Sequence, residues 1–238
     1  GPHNLWRLIR TGATFERTGA MNVALEAMDV PPRLRFVARI LSRPFRWLGY
    51  RGDPALPPVT RAITALGPAY IKFGQVLSTR PDVVGEDLSD QLRVLQDKLP
   101  PFDTETAKAM IEAELGRPVD QLFAEFSEPV AAASIAQVHK ARLIGGDEVA
   151  VKVLRPGIER AFRRDIDAFY FAAGLIEALS PASRRLRPTD VVAHFDGVVT
   201  GELDLRLEAS AASEFAENTK NDPGFAVPQP NWGLSSRQ

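Results

Sequence analysis

The sequence predicts an α+β fold that is mostly helical and carries one small antiparallel sheet. Two long regions place apolar residues at three- and four-residue steps, and between them, from Phe126 to Val153, lie short β-prone runs. The composition supports a packed domain: 45% of the 238 residues are hydrophobic and 25% charged, which excludes a wholly disordered or fibrous chain. Cysteine is absent, so disulfides, thiolate metal sites and cysteine nucleophiles are excluded. His3, His139 and His194 are too scattered to suggest a histidine metal cluster. The longest apolar run, Ala168 to Ile176, is ended by Glu177 and is far below the roughly 18 residues a membrane-spanning helix needs.

Gly1-Pro2-His3 resembles the scar of a removed tag and is set aside. Residues 5–52 read as helical, with Pro31-Pro32 opening a second helix. Its apolar positions are Leu34, Val37, Leu41, Phe45 and Leu48, and Arg35, Arg39, Arg43 and Arg46 fall on the opposite face. Pro44 is expected to kink or end it. Gly52 to Pro58 is the clearest linker. A short helix then stops at Gly67, and another starts with Pro68, where the missing N–H is not needed. Helical stretches follow at about 86–98 and 104–115, the second closed by Gly116. Two strands, Gln137–Leu143 and Glu148–Val153, are joined by the turn signal Gly145-Gly146-Asp147 within a three-strand meander. Long helices are expected at about 158–180 and 188–220, and a last irregular edge strand from Phe225 to Trp232.

This organisation divides into a basic helical arm (1–52), a helical extension (53–124) and a sheet-bearing segment (125–238). Residues 1–52 carry nine arginines against three acidic residues, a net of +6, which leaves −7 for the remainder. Few aromatics accompany those arginines, so nucleic acid is not the expected partner. An anionic membrane surface, met by the arginine face of residues 33–46, or the protein's own acidic body fits better.

Chemistry concentrates in three places. Ala131, Ala132, Ala133 and Ser134 form a run of tiny side chains before a hairpin whose second strand carries Lys152. Such a turn lets backbone N–H groups approach phosphate oxygens, and a lysine on the third strand can reach the same phosphates, the order of a protein-kinase N-lobe. Alanines stand where kinases carry glycines, and their Cβ atoms hold the backbone slightly farther from a ligand. Glu208, on a downstream helix, is the natural partner for Lys152, leaving Glu202 and Asp204 as further acids aimed at a nucleotide's metal or phosphates; Asp204 and Glu208, four apart, are expected on one helix face. Lys72 and Gln75 share another helix face, with Gly74 allowing close approach of a neighbouring element. Each piece alone also fits a plainer reading: a turn with an exposed lysine, a solvated acidic face, a chance triplet.

Together, Leu66 to Asp82, Leu95 to Pro101, the alanine-rich turn and Glu202-Leu203-Asp204 closely resemble the UbiB family of atypical kinase-like proteins, which support ubiquinone biosynthesis. The resemblance covers about residues 60–235. It implies that Lys72, Gly74 and Gln75 form the family's KxGQ motif on a regulatory extension over the nucleotide site. It makes Ala131 to Ser134 and Lys152 nucleotide-binding, Glu208 the ion-pair partner, and Glu202 with Asp204 the ExD motif. It further implies ATP or ADP with magnesium in the full-length protein, quinone-pathway proteins as partners, and a cytoplasmic location peripheral to the inner membrane. No catalytic-loop aspartate or Asp-Phe-Gly follows Glu208, and His194-Phe195-Asp196-Gly197, which precedes it, reads as helix surface. The chain is therefore expected to be an N-terminal fragment, inactive alone and prone to self-association through exposed edges; a non-catalytic interaction module is the alternative.

Overall fold

The structure is a computed structural model that describes residues 2–27, 30–95, 100–179, 181–224 and 226–238. It is mostly helical with one three-stranded antiparallel sheet, as the sequence predicts. The helices are α1 (Pro2–Thr18), α2 (Ala20–Ala27), α3 (Pro32–Ser42), α4 (Pro58–Leu66), α5 (Pro68–Leu77), α6 (Pro81–Val84), α7 (Glu86–Arg93), α8 (Thr104–Leu115) and α9 (Val119–Leu122). The strands β1 (Phe123–Ala132), β2 (Ala136–Leu143) and β3 (Glu148–Leu154) follow, then α10 (Ile158–Leu179), α11 (Pro188–Glu202) and α12 (Leu205–Thr219).

Punctuation residues account for most boundaries. Pro58, Pro68 and Pro81 each sit in a first helical turn, where a missing N–H costs nothing. Asp103 caps α8 by accepting from Thr106 N at 2.8 Å, and Gly116 closes it in the left-handed conformation. Pro44 ends the α-helical part of α3, and Arg43–Leu48 continue as a 3₁₀ segment. Three expectations do not hold. The helix expected over about 86–98 ends as α7 at Arg93, and residues 96–98 lie outside the described residues. The single helix over 188–220 is broken at Leu203–Asp204, where Asp204 turns out of the helix to cap α12. No strand forms within 226–231, because Pro228 and Pro230 lack the donors a ladder needs; Phe225 lies outside the described residues.

The chain forms two compact units, residues 1–97 with 160–196 and residues 98–159 with 197–238. In the first, α5 meets α10 and α11 through aromatic rings. Phe73 stacks on Phe169 at 4.9 Å between centroids and meets Phe195 edge-on at 4.9 Å, and Tyr70 meets Phe169 edge-on at 4.8 Å. This packing groups 160–196 with the N-terminal helices, whereas the sequence division joins them to the sheet. It also covers the apolar face of α5, the helix that carries Lys72. Phe195, in the segment read as helix surface, is fully buried in this core, while His194 is exposed.

In the second unit the sheet runs β1-β2-β3, with Ala136 to Arg142 of β2 paired without interruption to Leu154 to Glu148 of β3. Register shifts bend β1, whose Pro129 is tolerated because β1 is an edge. Ile111, Val119, Leu122, Phe123, Ala141 and Val153 form the core between the sheet and α8–α9.

Asp165 of α10 pairs with Arg7 of α1 inside the first unit. Burial pushes its carboxyl up to about 6, against the opposing pull of Arg7 and Arg164. The folded state thus holds this proton more tightly than the unfolded chain, so stability falls as pH rises from about 4 through 6. Urea unfolding across that range should show Asp165→Asn removing this part of the decline. An unchanged pH profile in the variant would count against a buried, costly carboxylate.

Candidate functional site

The period-2 geometry of β3 turns Val149, Val151 and Val153 toward the α8–α9 core and Lys152 to the other face. There its ammonium donates to both carboxylate oxygens of Glu208 in α12, at 2.8 and 2.6 Å. The side chains remain 40% and 53% exposed, so the pair adds about 1 kcal/mol or less to stability. Its consequence is positional: a flexible lysine is held at one place. The pair borders a cleft of about 510 Å³ between β3, α8, α12 and the C-terminal segment, lined also by Met110, Val151, Ala212, Pro230 and Ser235.

The alanine turn connects β1 to β2. Ala131 and Ala132 end β1 opposite Val138 and Gln137, and Ala133 N–H donates to the Ala136 carbonyl at 2.8 Å, closing the turn. Ser134 is buried beneath it. Arg155, just past β3, fixes the turn: its Nε donates to the Ala133 carbonyl at 2.8 Å, its guanidinium also donates to the Pro100 carbonyl at 2.9 Å, and its backbone N–H donates to Ile135 at 2.8 Å. The turn does not line the 510 Å³ cleft.

Sequence reasoning also missed a buried polar pair on β2. The Gln137 side chain accepts from Phe102 N–H at 2.9 Å and donates to the Phe102 carbonyl at 3.1 Å. His139 donates from Nδ1 to the Ser127 carbonyl at 2.8 Å, which leaves Nε2 to accept from Gln137 Nε2 at 3.0 Å. Both side chains are fully buried, so these contacts lock the entry to α8 and the bend of β1 onto β2. A polar pair at alternate positions of a strand facing the core was the available signal.

The remaining acids are placed differently from expectation. Asp204 does not share a helical face with Glu208; it is the N-cap of α12, accepting from Arg206 N at 3.1 Å and pairing with the Arg206 guanidinium at 2.7 Å. That guanidinium holds the Asp204 carboxyl below its usual range. Glu202 is the last residue of α11. Among the described residues no group of three His, Asp or Glu side chains stands ready to hold a metal ion. Lys72, Gly74 and Gln75 lie on α5 in the first unit, Lys152 and Glu208 in the second. A Cβ on Gly74 would overlap Leu95 and come within 3.3 Å of Ile63 and 3.4 Å of Leu92, so the glycine permits the close approach expected of it.

A small-residue turn, a third-strand lysine and a helix glutamate bonded to it define a protein-kinase-like N-lobe. The profile of the ABC1 atypical kinase-like domain matches residues 94–238. A protein of Marinobacter nauticus named "Probable protein kinase UbiB" is 48% identical over 177 residues, covering 74% of this chain and 32% of the relative. One of the same name from Azotobacter vinelandii is 42% identical over 229 residues, 95% of this chain and 42% of the relative. Among solved structures, the Rv3197–erythromycin complex from Mycobacterium tuberculosis is similar at a TM-score of 0.50 and 34% identity, over 69% of this chain and 41% of that one. The chain belongs to the UbiB (ABC1) family of atypical kinase-like proteins, and it spans less than half the length of the curated relatives it matches.

Replacing Gln137 by leucine strands the backbone N–H and carbonyl of Phe102, at an expected cost of about 2 kcal/mol. Urea denaturation should show the midpoint falling with an unchanged slope; a loss within experimental error would mean that the bonds do not hold the β2–α8 junction.

Proposed function

We propose that this chain carries the nucleotide-binding N-lobe of an ATP-dependent kinase-like or ATPase protein in ubiquinone biosynthesis, working at a membrane surface where polyprenyl intermediates reside. The observation that supports it most is the two-oxygen bond between Lys152 and Glu208 on the strand and helix where a kinase N-lobe carries its lysine and glutamate. In this reading Lys152, held by Glu208, presents its ammonium to nucleotide phosphates, and the turn of Ala131 to Ser134 supplies further backbone donors from the N–H groups not already bonded within it, the Ala133 N–H being taken by the Ala136 carbonyl. Arg155 keeps that turn closed.

Magnesium neutralises phosphate charge in phosphoryl transfer. Asp204 is engaged by Arg206, and the described residues assemble no metal donor set, so no step is assigned to a metal here. Lys72, Gly74 and Gln75 are proposed as a regulatory element, in line with the family's KxGQ motif. We expect the 238 residues to bind nucleotide without turning it over.

Titration of a fluorescent ADP analogue tests the reading on the 238-residue chain. Lys152→Met and Glu208→Gln, at exposed positions that leave the fold intact by circular dichroism, should each weaken binding by about tenfold or more, equal to about 1.4 kcal/mol. Ala133→Gly should change the ratio of ADP to ATP affinity, because loss of Cβ lets the backbone come closer to phosphate. Equal affinities across wild type, Lys152→Met and Glu208→Gln, or a folded chain that binds no nucleotide, would overturn the proposal in favour of a non-catalytic interaction module.

A further inference from the structure

The segment from Val30 to Gly52 is inside out. On α3, Arg35 and Arg39 turn inward: Arg35 donates to Glu26 at 3.0 Å and to the Val30 carbonyl at 2.8 Å, and Arg39 to Asn22 at 2.6 Å. The apolar residues turn outward. Phe36 is 62% exposed, Leu41 65% and Trp47 74%, with Val37, Ile40 and Phe45 also open, and no residue of α3 is buried. The expected arrangement, with arginines presented to a partner, is therefore reversed for two of the four arginines of that face.

Polar and backbone contacts hold the segment in place. Gly49 packs on α1 so closely that a Cβ would overlap the backbone of Ala13, Arg17 donates to the Gly49 carbonyl at 2.7 Å, and Tyr50 N–H donates to Thr14 Oγ1 at 3.1 Å. The outward apolar face is not needed for this attachment. An ordinary surface helix buries such a face, and an apolar patch left open marks an interaction site.

Charge identifies the occupant. Residues 30–52 contain six arginines and no acidic residue, and Arg33, Arg43 and Arg46 are exposed beside the apolar row. A second copy of this chain would bring the same positive face against itself. A surface that accepts apolar and aromatic side chains and also attracts arginine is an anionic lipid bilayer, with Trp47 and Tyr50 of the type that settles at headgroup depth.

We propose that α3 and the 3₁₀ segment after it form an interfacial membrane anchor, inserting Phe36, Ile40, Leu41 and Trp47 below the headgroups of anionic lipid while Arg33, Arg43 and Arg46 engage lipid phosphates. The proposal deepens the membrane placement proposed above and does not depend on nucleotide binding, so the two fail separately.

Cosedimentation of the 238-residue chain with phosphatidylglycerol–phosphatidylcholine vesicles tests it, with phosphatidylcholine alone as the neutral arm. Binding is expected to the anionic vesicles and to weaken as salt is raised. Ile40→Glu with Trp47→Glu, at exposed positions that should leave the fold intact by circular dichroism, should lower it about tenfold or more, and Arg33→Gln, Arg43→Gln and Arg46→Gln together should lower it and flatten the salt dependence. In a Trp6→Phe, Trp232→Phe background, emission from Trp47 should shift to the blue on anionic vesicles. No binding, or binding unaffected by the Ile40 and Trp47 changes, overturns the proposal. So does a loss of self-association in that variant, measured by sedimentation velocity, in a wild-type chain that ignores vesicles; the face would then join two copies.

Discussion

The bond between Lys152 and Glu208 is the constraint on which the candidate site depends. Helix α12 buries none of its side chains, and Leu207 and Phe215 are half exposed, so hydrophobic packing does not fix its position. Its place is set by polar ties: Glu208 to Lys152, and Leu205 N–H to the Arg237 carbonyl at 3.0 Å. A helix held this way can be moved by anything that competes for its carboxylate. In the proposed reading a nucleotide phosphate meets the ammonium that Glu208 holds in place, which gives the pair a chemical role larger than its small share of stability.

The sheet supplies the opposite quality. Hydrophobic packing of Val153 and Ala141 on α8–α9, the buried Gln137–His139 pair and the Arg155 bonds to the alanine turn make it the rigid part of its unit. The buried Gln137 and His139 side chains are matched donor to acceptor, so they specify one register rather than merely add stability. The turn and Lys152 are thus presented from a fixed frame, while Glu208 arrives from an element fastened only at its surface.

Local punctuation made much of this legible in the sequence. Gly67 ends α4 and Pro68 starts α5, Gly116 closes α8, and Gly145-Gly146-Asp147 joins β2 to β3 because those residues dictate backbone geometry wherever they occur. The facing of Lys152 and Glu208 followed from motif order. What escaped were matters of partner choice. A helical wheel separates the two faces of α3 but does not say which one meets α2, and the contacts to Glu26 and Asn22 decide it against the usual hydrophobic-in rule. The break at Asp204 carries no glycine or proline; a side-chain cap replaces them, and the aspartate itself was the available hint. The grouping of 160–196 with the N-terminal helices rests on Phe169 and Phe195 meeting Phe73 over a long sequence separation, which no local pattern encodes.

The central claim is that Glu208 serves nucleotide binding only through Lys152. A double-mutant cycle on nucleotide affinity, combining Lys152→Met with Glu208→Gln, measures that dependence directly. The account predicts that Glu208→Gln weakens binding when Lys152 is present and has no further effect once Lys152 is methionine. Losses that simply add in the double variant would contradict it, because the two side chains would then be acting on the nucleotide independently.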